Sequence, residues 1–245
     1  MDLEQKIADT LALLQRIGQK YQPAVFANSF GAEDMVLTDL IARHQLPIQG
    51  FSLDTGRLPD ETYALMQTVH ERYQQNPVQV FFPDAGQVEA YVNANGINAI
   101  YNSVELRKAC CHIRKGEPLK RALAGKQAWV TGLRREQSPT RTDLGNHEYD
   151  EANGLEKFNP LIEWTEKDVW AYIKANNVPY NALHDRHYPS IGCAPCTRAI
   201  AMGEDIRAGR WWWENPENKE CGLHVKGDVV SIIPVSSSLP AAAGR

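Results

Sequence analysis

The sequence predicts an α/β fold in which a parallel twisted sheet is covered by helices on both faces. Short apolar segments alternate along the chain with longer amphipathic ones, a pattern typical of parallel sheets. Hydrophobic residues make up 43% and charged residues 23% of the composition, which indicates a globular protein. The 245 residues are enough for one large hydrophobic core.

The individual helices and strands are predicted from the spacing of apolar residues and from residues that typically begin a helix. Apolar residues recur at helical spacing over 3–17, and a second helix is predicted over 33–42. Pro59 is expected at the first position of a third helix. Thr165 and Asp168 predict the capped start of a later one. The predicted strands are 24–27, 48–53, 78–82 and 128–131.

The expected organisation is a main domain over residues 1–214 and a flexible segment over 215–245, which ends in a Ser-, Pro-, Ala- and Gly-rich stretch. No apolar run approaches the roughly 18 residues needed to span a bilayer, so no membrane association is expected. The first residues carry neither a basic segment nor an apolar one, so no secretory signal is expected.

Cysteine usage and charge restrict the function further. Five cysteines are an odd number, which favours reduced thiols and a cytoplasmic location over a disulfide framework. The net charge is −4, so a nucleic-acid-binding surface is not expected. The basic residues nevertheless cluster near cysteine motifs and turns, which indicates a small anionic ligand.

Two loops are predicted to form a nucleotide site. Residues 29–34 join a strand to a helix and contain Gly31, which allows close backbone approach, while the helix N-terminus offers N–H groups to an anion. Residues 53–56 follow the next strand. Because parallel strands present their carboxyl ends at one edge, Ser29, Asp54 and Gly132 are expected to converge.

This loop signal is weak taken alone. The chain contains neither a P-loop nor a dinucleotide-binding glycine motif. Asp54 could accept a hydrogen bond from a ribose hydroxyl or an adenine amine, and it could equally be a turn residue.

Four of the cysteines form a pattern that favours metal binding. Cys110 and Cys111 are adjacent, and Cys193 and Cys196 form a C-x-x-C motif. Four thiolates can hold zinc or a [4Fe–4S] cluster. Zinc sites usually use two spaced pairs, so the adjacent pair favours the larger cluster. Buried structural thiols and a redox disulfide remain alternatives.

The fifth cysteine stands apart in the sequence. Cys221 lies between a polar stretch and Gly222, which suits a thiol that enters and leaves a pocket. His224 or an arginine could lower its pKa and populate the thiolate.

Two pairs of arginines suggest recognition of phosphate or sulfate. Arg134 and Arg141 follow the fourth predicted strand, and guanidinium groups bind such anions in a bidentate manner. Arg207 and Arg210 are three residues apart and could meet on one face of a helix.

Four motifs together carry a family resemblance. They are CCHIRK at 110–115, YPSIGCAPCT at 188–197, RWWWE at 210–214 and ECGLH at 220–224. The chain thereby resembles the assimilatory adenylyl-sulfate reductases, the iron–sulfur branch of the phosphoadenylyl-sulfate reductase family. The resemblance covers residues 26–224.

The resemblance implies a fold like that of the adenine nucleotide alpha-hydrolases, a homo-oligomer and a [4Fe–4S] cofactor. It also implies reduction of adenylyl sulfate to sulfite and AMP through an S-sulfocysteine, in sulfate assimilation and cysteine biosynthesis. Thioredoxin or glutaredoxin would supply the electrons, since no thioredoxin-like domain is fused to the chain.

The resemblance assigns three roles to the residues. Catalysis would use Cys221, His224 and Lys115. The metal ligands would be Cys110, Cys111, Cys193 and Cys196. The substrate would be bound by Ser29, Phe30, Gly31, Asp34, Leu53, Asp54, Thr55, Gly56, Arg134, Arg141, Arg207 and Arg210, with Lys115 and the arginines holding the phosphosulfate.

Other functions stay open from the sequence. The same chemistry could act on 3′-phosphoadenylyl sulfate, which differs by one phosphate. An ATP-dependent RNA-thiolating enzyme is a less favoured alternative because of the net charge of −4. A non-catalytic metal-binding regulator would leave Cys221 and the arginine loop unexplained.

Overall fold

A computed structural model describes residues 2–137 and 144–215 of the protein. Its centre is a sheet of six strands in the order β3-β2-β1-β4-β6-β5. The strands are β1 (Ala24–Ala27), β2 (Ile48–Leu53), β3 (Gln79–Phe81), β4 (Ala128–Val130), β5 (His147–Asp150) and β6 (Leu155–Phe158). The α-helices are α1 (Leu3–Lys20), α2 (Ala32–Arg43), α3 (Asp60–Arg72), α4 (Ala85–Asn95), α5 (Val104–Cys111), α6 (Glu117–Leu123) and α7 (Glu166–Ala175).

All strand pairings are parallel except that of β5 with β6. The sequence predicted a parallel sheet, and it did not predict this antiparallel edge hairpin. Its outer strand is polar and largely solvent-facing, so it lacks the apolar run that marked the other strands. Gly154, with φ of 70° in the connecting turn, was the available signal for the hairpin.

Helices cover both faces of the sheet, as predicted. Alternate side chains of a strand point to opposite faces, so Phe26 packs into the core formed with α1, α2 and α7. Val25 points the other way and packs with Trp129 and the apolar side chains of α6. No helix among the described residues is both long enough and apolar enough to cross a membrane.

The helix ends agree closely with the sequence signals. Thr165 and Asp168 form a capping box at the start of α7, as predicted. Pro59 is the N-cap of α3 and not its first residue, so that prediction was wrong by one position.

The region between β3 and β4 was not predicted to contain helices. It holds α4, α5 and α6, and its capping signals were present in the sequence. Asp84 accepts a hydrogen bond from the Gln87 N–H at 2.9 Å, and Ser103 accepts one from the Leu106 N–H at 3.2 Å. This helical region carries the first cysteine pair.

Candidate active site

The loop between β1 and α2 is shaped by its own side chains. Asn28 Oδ1 accepts a hydrogen bond from the Phe30 N–H at 2.7 Å, and Phe30 has a φ of 61°. The Phe30 side chain is buried in the core, so it supports the loop from behind. Gly31 caps α2 without a side-chain hydrogen bond, which leaves N–H groups of the first turn available to an anion.

Asp34 holds the same loop from the helix side. Its Oδ2 accepts hydrogen bonds from the Ser29 N–H at 2.7 Å and the Ser29 hydroxyl at 2.6 Å. A Cβ on Gly132 would overlap Asp34 Oδ1, so only glycine fits at the end of β4. Burial raises the pKa of Asp34 to about 7, although the hydrogen bonds from Ser29 lower it. Near neutral pH this carboxyl group therefore repels an anion less than an ordinary aspartate would.

The raised pKa of Asp34 predicts a pH-dependent stability. Because the pKa is 3.8 in a model peptide and about 7 in the fold, the folded protein retains a proton between these values. The resulting stabilisation is complete below about pH 4 and is lost as the pH rises through about 7. Asp34→Asn should therefore flatten the decline of Tm between about pH 5 and pH 8, measured by thermal unfolding.

Asp168→Asn is the control for that prediction. Burial raises the pKa of Asp168, but hydrogen bonds from Lys6 and Thr165 outweigh this effect and lower it to about 2. The stabilisation that Asp168 provides is lost only as the pH falls below about 4, so this variant should keep the native slope at higher pH. Parallel Tm curves for the native protein and Asp34→Asn would contradict the assignment.

A cavity of about 290 Å³ opens beside the loop at the carboxyl ends of β1, β2 and β4. Ligands of open α/β sheets bind at this edge. The walls combine backbone from the loop and strand ends with several cations, which suits a nucleotide with an anionic tail. The predicted substrate residues that line the cavity are Ser29, Gly31, Asp34, Leu53, Arg134, Arg207 and Arg210.

The Asp54–Gly56 turn does not line this cavity, contrary to expectation. Asp54 Oδ1 accepts hydrogen bonds from the Gly56 N–H at 2.7 Å and the Tyr63 hydroxyl at 2.8 Å. Asp54 is therefore a turn residue, the alternative that the sequence left open. Thr55 Oγ1 lies 3.2 Å from Cys193 Sγ, so the turn belongs to the cysteine site.

Arg134 lines the cavity but also forms ion pairs with acidic neighbours. Its Nε lies 2.8 Å from Glu33 Oε1, and its Nη1 lies 3.3 Å from Glu136 Oε2. The guanidinium is buried and held in place by these carboxylates. Glu33 therefore contributes to the same wall, although the sequence analysis assigned it no role.

Arg207 and Arg210 do not share a helix face, so that prediction was wrong. They lie in turns, and Arg210 forms an isolated antiparallel bridge with Thr197. Glycines explain the difference, because Gly203 has a φ of 88° and a Cβ on Gly209 would overlap a backbone oxygen. The two arginines nevertheless reach the same cavity.

The four cysteines of the two motifs line a second, smaller cavity. Cys110 and Cys111 end α5, and the C-x-x-C turn is closed by a hydrogen bond from the Cys196 N–H to the Cys193 carbonyl at 2.9 Å. All four are free thiols. Burial, reinforced by the neighbouring Cys193, raises the pKa of Cys196 to about 12, and burial also raises the pKa of Cys110.

The donor chemistry of this cavity, four cysteine thiols, fits an iron–sulfur cluster. Within residues 2–137 and 144–215, no three His, Cys, Asp or Glu side chains converge on a point that could hold one metal ion. Four thiols around one cavity suit a [4Fe–4S] cluster, whose irons are bound by separate thiolates. Cations that could balance thiolate charge surround the cavity, namely Arg57, Arg107, Arg114 and Lys115.

A π-helical turn connects the cysteine site with the nucleotide cavity. It spans His112–Gly116, directly after Cys111, and such turns are frequent at functional sites. Arg114 Nη1 donates a hydrogen bond to the Thr55 carbonyl at 2.6 Å. The next residue, Lys115, lines both cavities.

Sequence reasoning missed the buried partners of these motifs. It gave no role to Glu214, whose carboxylate forms a bidentate ion pair with Arg107, at 2.9 Å and 2.6 Å. No sequence signal pairs two residues so far apart. The predicted site residues Arg141, Cys221 and His224 lie outside the described residues.

The fold and these two cavities define a nucleotide-binding α/β protein with a four-thiol site. A sequence model of the phosphoadenosine phosphosulfate reductase domain matches residues 23–199. The chain is 58% identical over 217 residues to an adenosine 5′-phosphosulfate reductase of Allochromatium vinosum, covering 89% of this chain and 84% of that protein. It is 54% identical to a protein of the same name from Burkholderia cepacia, covering 100% of this chain and 96% of that one.

Solved structures give a consistent result. A phosphoadenylyl-sulfate reductase from Candida auris, solved as a phosphate complex, superposes with a TM-score of 0.67 at 26% identity, covering 78% of this chain and 94% of that one. Yeast FAD synthetase shares the fold alone, with a TM-score of 0.57 at 16% identity, covering 80% of this chain and 67% of that one. The chain belongs to the phosphoadenosine phosphosulfate reductase domain family. This membership confirms the family resemblance and the predicted fold class.

Proposed function

We propose that the protein reduces adenylyl sulfate to sulfite and AMP. The observation that carries this proposal is Lys115, which borders both the nucleotide cavity and the four-thiol cavity. The relatives from Allochromatium vinosum and Burkholderia cepacia are named adenosine 5′-phosphosulfate reductases, which supports the same substrate. The activity belongs to sulfate assimilation and cysteine biosynthesis.

The nucleotide binds over the Ser29–Asp34 loop at the N-terminus of α2. Lys115, Arg207 and Arg210, which line the same cavity, bind the phosphosulfate. Arg134, oriented by Glu33, contributes a further cation. Guanidinium and ammonium groups concentrate positive charge where the leaving AMP gains negative charge, which stabilises the transition state.

The chemistry then proceeds in two displacements. The Cys221 thiolate attacks the sulfur of adenylyl sulfate, the bond from that sulfur to the bridging oxygen breaks, and AMP leaves with the electron pair. The product is an S-sulfocysteine on Cys221. His224 orients or polarises the sulfate, and Arg141 adds to its charge balance.

A dithiol protein of the thioredoxin or glutaredoxin type completes the cycle. One of its thiolates attacks Cys221 Sγ and releases sulfite, forming a mixed disulfide. Its second thiol resolves that disulfide and restores the Cys221 thiolate. The dithiol supplies the two electrons that sulfate reduction needs, and it leaves oxidised.

Cys110, Cys111, Cys193 and Cys196 would hold a [4Fe–4S] cluster. When bound, the cluster supplies electrostatic and structural support beside the substrate and need not change its redox state. Lys115 lines both cavities, so its charge would act on both the cluster and the phosphosulfate. The reduced cysteines support a cytoplasmic location, and the family resemblance implies a homo-oligomer.

The decisive experiment is intact-mass analysis of anaerobically purified protein after addition of adenylyl sulfate without a dithiol donor. A single sulfonate should appear on the Cys221 peptide and disappear when reduced thioredoxin is added. This outcome would establish the substrate, the reaction type and the nucleophile together.

Two other outcomes would change the proposal. An adduct formed only from 3′-phosphoadenylyl sulfate would keep the chemistry and reverse the specificity. No adduct from either nucleotide, in protein that carries iron and sulfide, would contradict the reductase function. ATP-dependent thiolation of RNA would then be the next activity to assay.

A further inference from the structure

Among the described residues, the cavity lined by the four thiols is bordered by cations and by no carboxylate. Besides the cysteines, its charged walls are Arg57, Arg107, Arg114 and Lys115. An iron–sulfur cluster bound by four thiolates carries a net negative charge, so a wall of cations suits that occupant. The four cations are not equivalent, because each has different contacts elsewhere.

Three of these cations also serve other parts of the molecule. Arg107 is paired with Glu214, whose carboxylate oxygen lies 2.6 Å from its Nη2. Lys115 also lines the nucleotide cavity. Arg114 is buried and supports the turn at Thr55, to whose carbonyl it donates at 2.6 Å. Removing any of the three charges would therefore disturb more than the thiol site.

The guanidinium of Arg57 has no such second role. Its Nη1 donates to the Ile97 carbonyl at 3.0 Å, and its Nη2 donates to Asn98 Oδ1 at 3.3 Å. Both acceptors are neutral, so these bonds hold the side chain in place without neutralising its charge. Arg57 does not line the nucleotide cavity, but it does line the cysteine cavity. Its positive charge is therefore directed to the thiol site alone.

The backbone of Arg57 places this charge beside the C-x-x-C turn. Its carbonyl accepts a hydrogen bond from the Ala194 N–H at 2.8 Å. Its N–H donates to Thr55 Oγ1 at 3.2 Å, and that oxygen lies 3.2 Å from Cys193 Sγ. The charge also reaches the other cysteine pair, since burial raises the pKa of Cys110 and Arg57 is one of the cations that lower it. A substitution of the side chain leaves the backbone bonds in place.

We propose that the guanidinium of Arg57 compensates the negative charge of a four-thiolate iron–sulfur cluster and thereby retains it in the protein. This inference rests on the cluster assigned in the proposed function and adds a residue to its site. A nearby cation stabilises thiolates against protonation, and a protonated thiol is a poor ligand for iron. The affinity for nucleotide should not depend on Arg57, because its side chain lies outside the nucleotide cavity.

The variant Arg57→Gln tests this inference because it removes the charge and keeps an N–H donor. Protein purified without oxygen is mixed with excess EDTA, and the decay of the visible absorbance of the cluster is followed. At about pH 7 the decay should be about 3- to 10-fold faster than in the native protein, as for the loss of one partly screened charge. Arg57→Lys keeps the charge, so its decay rate should stay within about two-fold of native.

Ionic strength separates an effect of charge from an effect of structure. The Debye length falls from about 8 Å at 0.15 M salt to about 3 Å at 1 M salt. The ratio of the decay rates of Arg57→Gln and the native protein should therefore approach one at about 1 M salt. A ratio caused by displacement of the loop at Ile97 and Asn98 would persist. The dissociation constant for AMP should stay within about two-fold of native in both Arg57 variants.

Arg72→Gln is the matched control. Arg72 also donates to neutral acceptors, the carbonyls of Asn177 at 2.6 Å and Asn176 at 3.5 Å. It lines neither of the two cavities. The control lowers the net charge by the same amount as Arg57→Gln, and its cluster should decay at the native rate.

Several results would overturn the inference. A native decay rate in Arg57→Gln would do so, as would an equal acceleration in Arg57→Lys or one that salt does not reduce. If Arg57→Gln is purified without iron, native iron in Arg57→Lys would support the inference, and loss of iron from both variants would overturn it. Zinc without sulfide in the native protein would contradict the cluster of the proposed function, and this inference with it.

Discussion

The variant Cys221→Ser is expected to reduce sulfite formation by at least about 10³-fold, since removing a catalytic nucleophile typically costs that much or more. A serine hydroxyl is far less ionised near neutral pH than a thiol, and it cannot form a bond that a dithiol protein later cleaves. The measurement is sulfite release with adenylyl sulfate and excess reduced thioredoxin. No sulfonate adduct should form on this variant.

The same variant should keep everything that does not depend on the nucleophile. AMP affinity should stay near the native value, because the cavity walls come from the Ser29–Asp34 loop, the strand ends and the arginines. Iron and sulfide per chain should also be native, because four other cysteines line the cavity that is proposed to hold the cluster. Turnover retained in Cys221→Ser would remove Cys221 from the mechanism and leave the four remaining thiols as candidates.

The fold could be predicted for the segments whose apolar sequence pattern matches their burial in the folded protein. The apolar runs of β1 and β2 are buried in the sheet centre, and the structure reproduces their predicted bounds. The edge strand β5 was not predictable in this way. One of its faces contacts solvent, so its residues obey no strong hydrophobic pattern.

The site likewise contains residues that local motifs predict and residues that they do not. The adjacent cysteine pair, the C-x-x-C motif and the β1–α2 loop are local motifs. The structure places the four cysteines around one cavity and the loop beside the other. The Asp54 turn was not predicted correctly, because the sequence of a loop does not determine the direction in which a side chain points. Its Oδ1 is used by Gly56 and Tyr63.

Contacts between residues far apart in the sequence could not be predicted from local sequence patterns. Arg107 and Glu214 are 107 residues apart, and nothing in the sequence indicates that they form a pair. Their burial follows from how α5 and the Trp211 turn pack together. The cation–π contacts around Trp211 also depend on this packing.

The variant Cys196→Ser should lose both the metal site and the activity. Cys196 is 7% exposed, and burial together with neighbouring Cys193 raises its pKa to about 12. Its thiolate is therefore costly to form in this position unless a metal compensates the charge. Serine keeps the volume but is a much poorer ligand for iron. Iron and sulfide content should fall well below native, and turnover should fall by at least about 10²-fold.

Cys221→Ser is the natural control for this loss, since it replaces the fifth cysteine by the same residue. Iron, labile sulfide, Tm and sulfonation should be measured on both variants purified without oxygen. Loss of iron in Cys196→Ser alone separates a ligand from a nucleophile. A Cys196→Ser protein with native iron and sulfide would remove Cys196 from the ligand set, whereas zinc without sulfide in the native protein would contradict the cluster itself. Because the Trp211 N–H donates to the Cys196 carbonyl, which serine retains, a lower Tm in this variant would reflect the missing metal and not a broken turn.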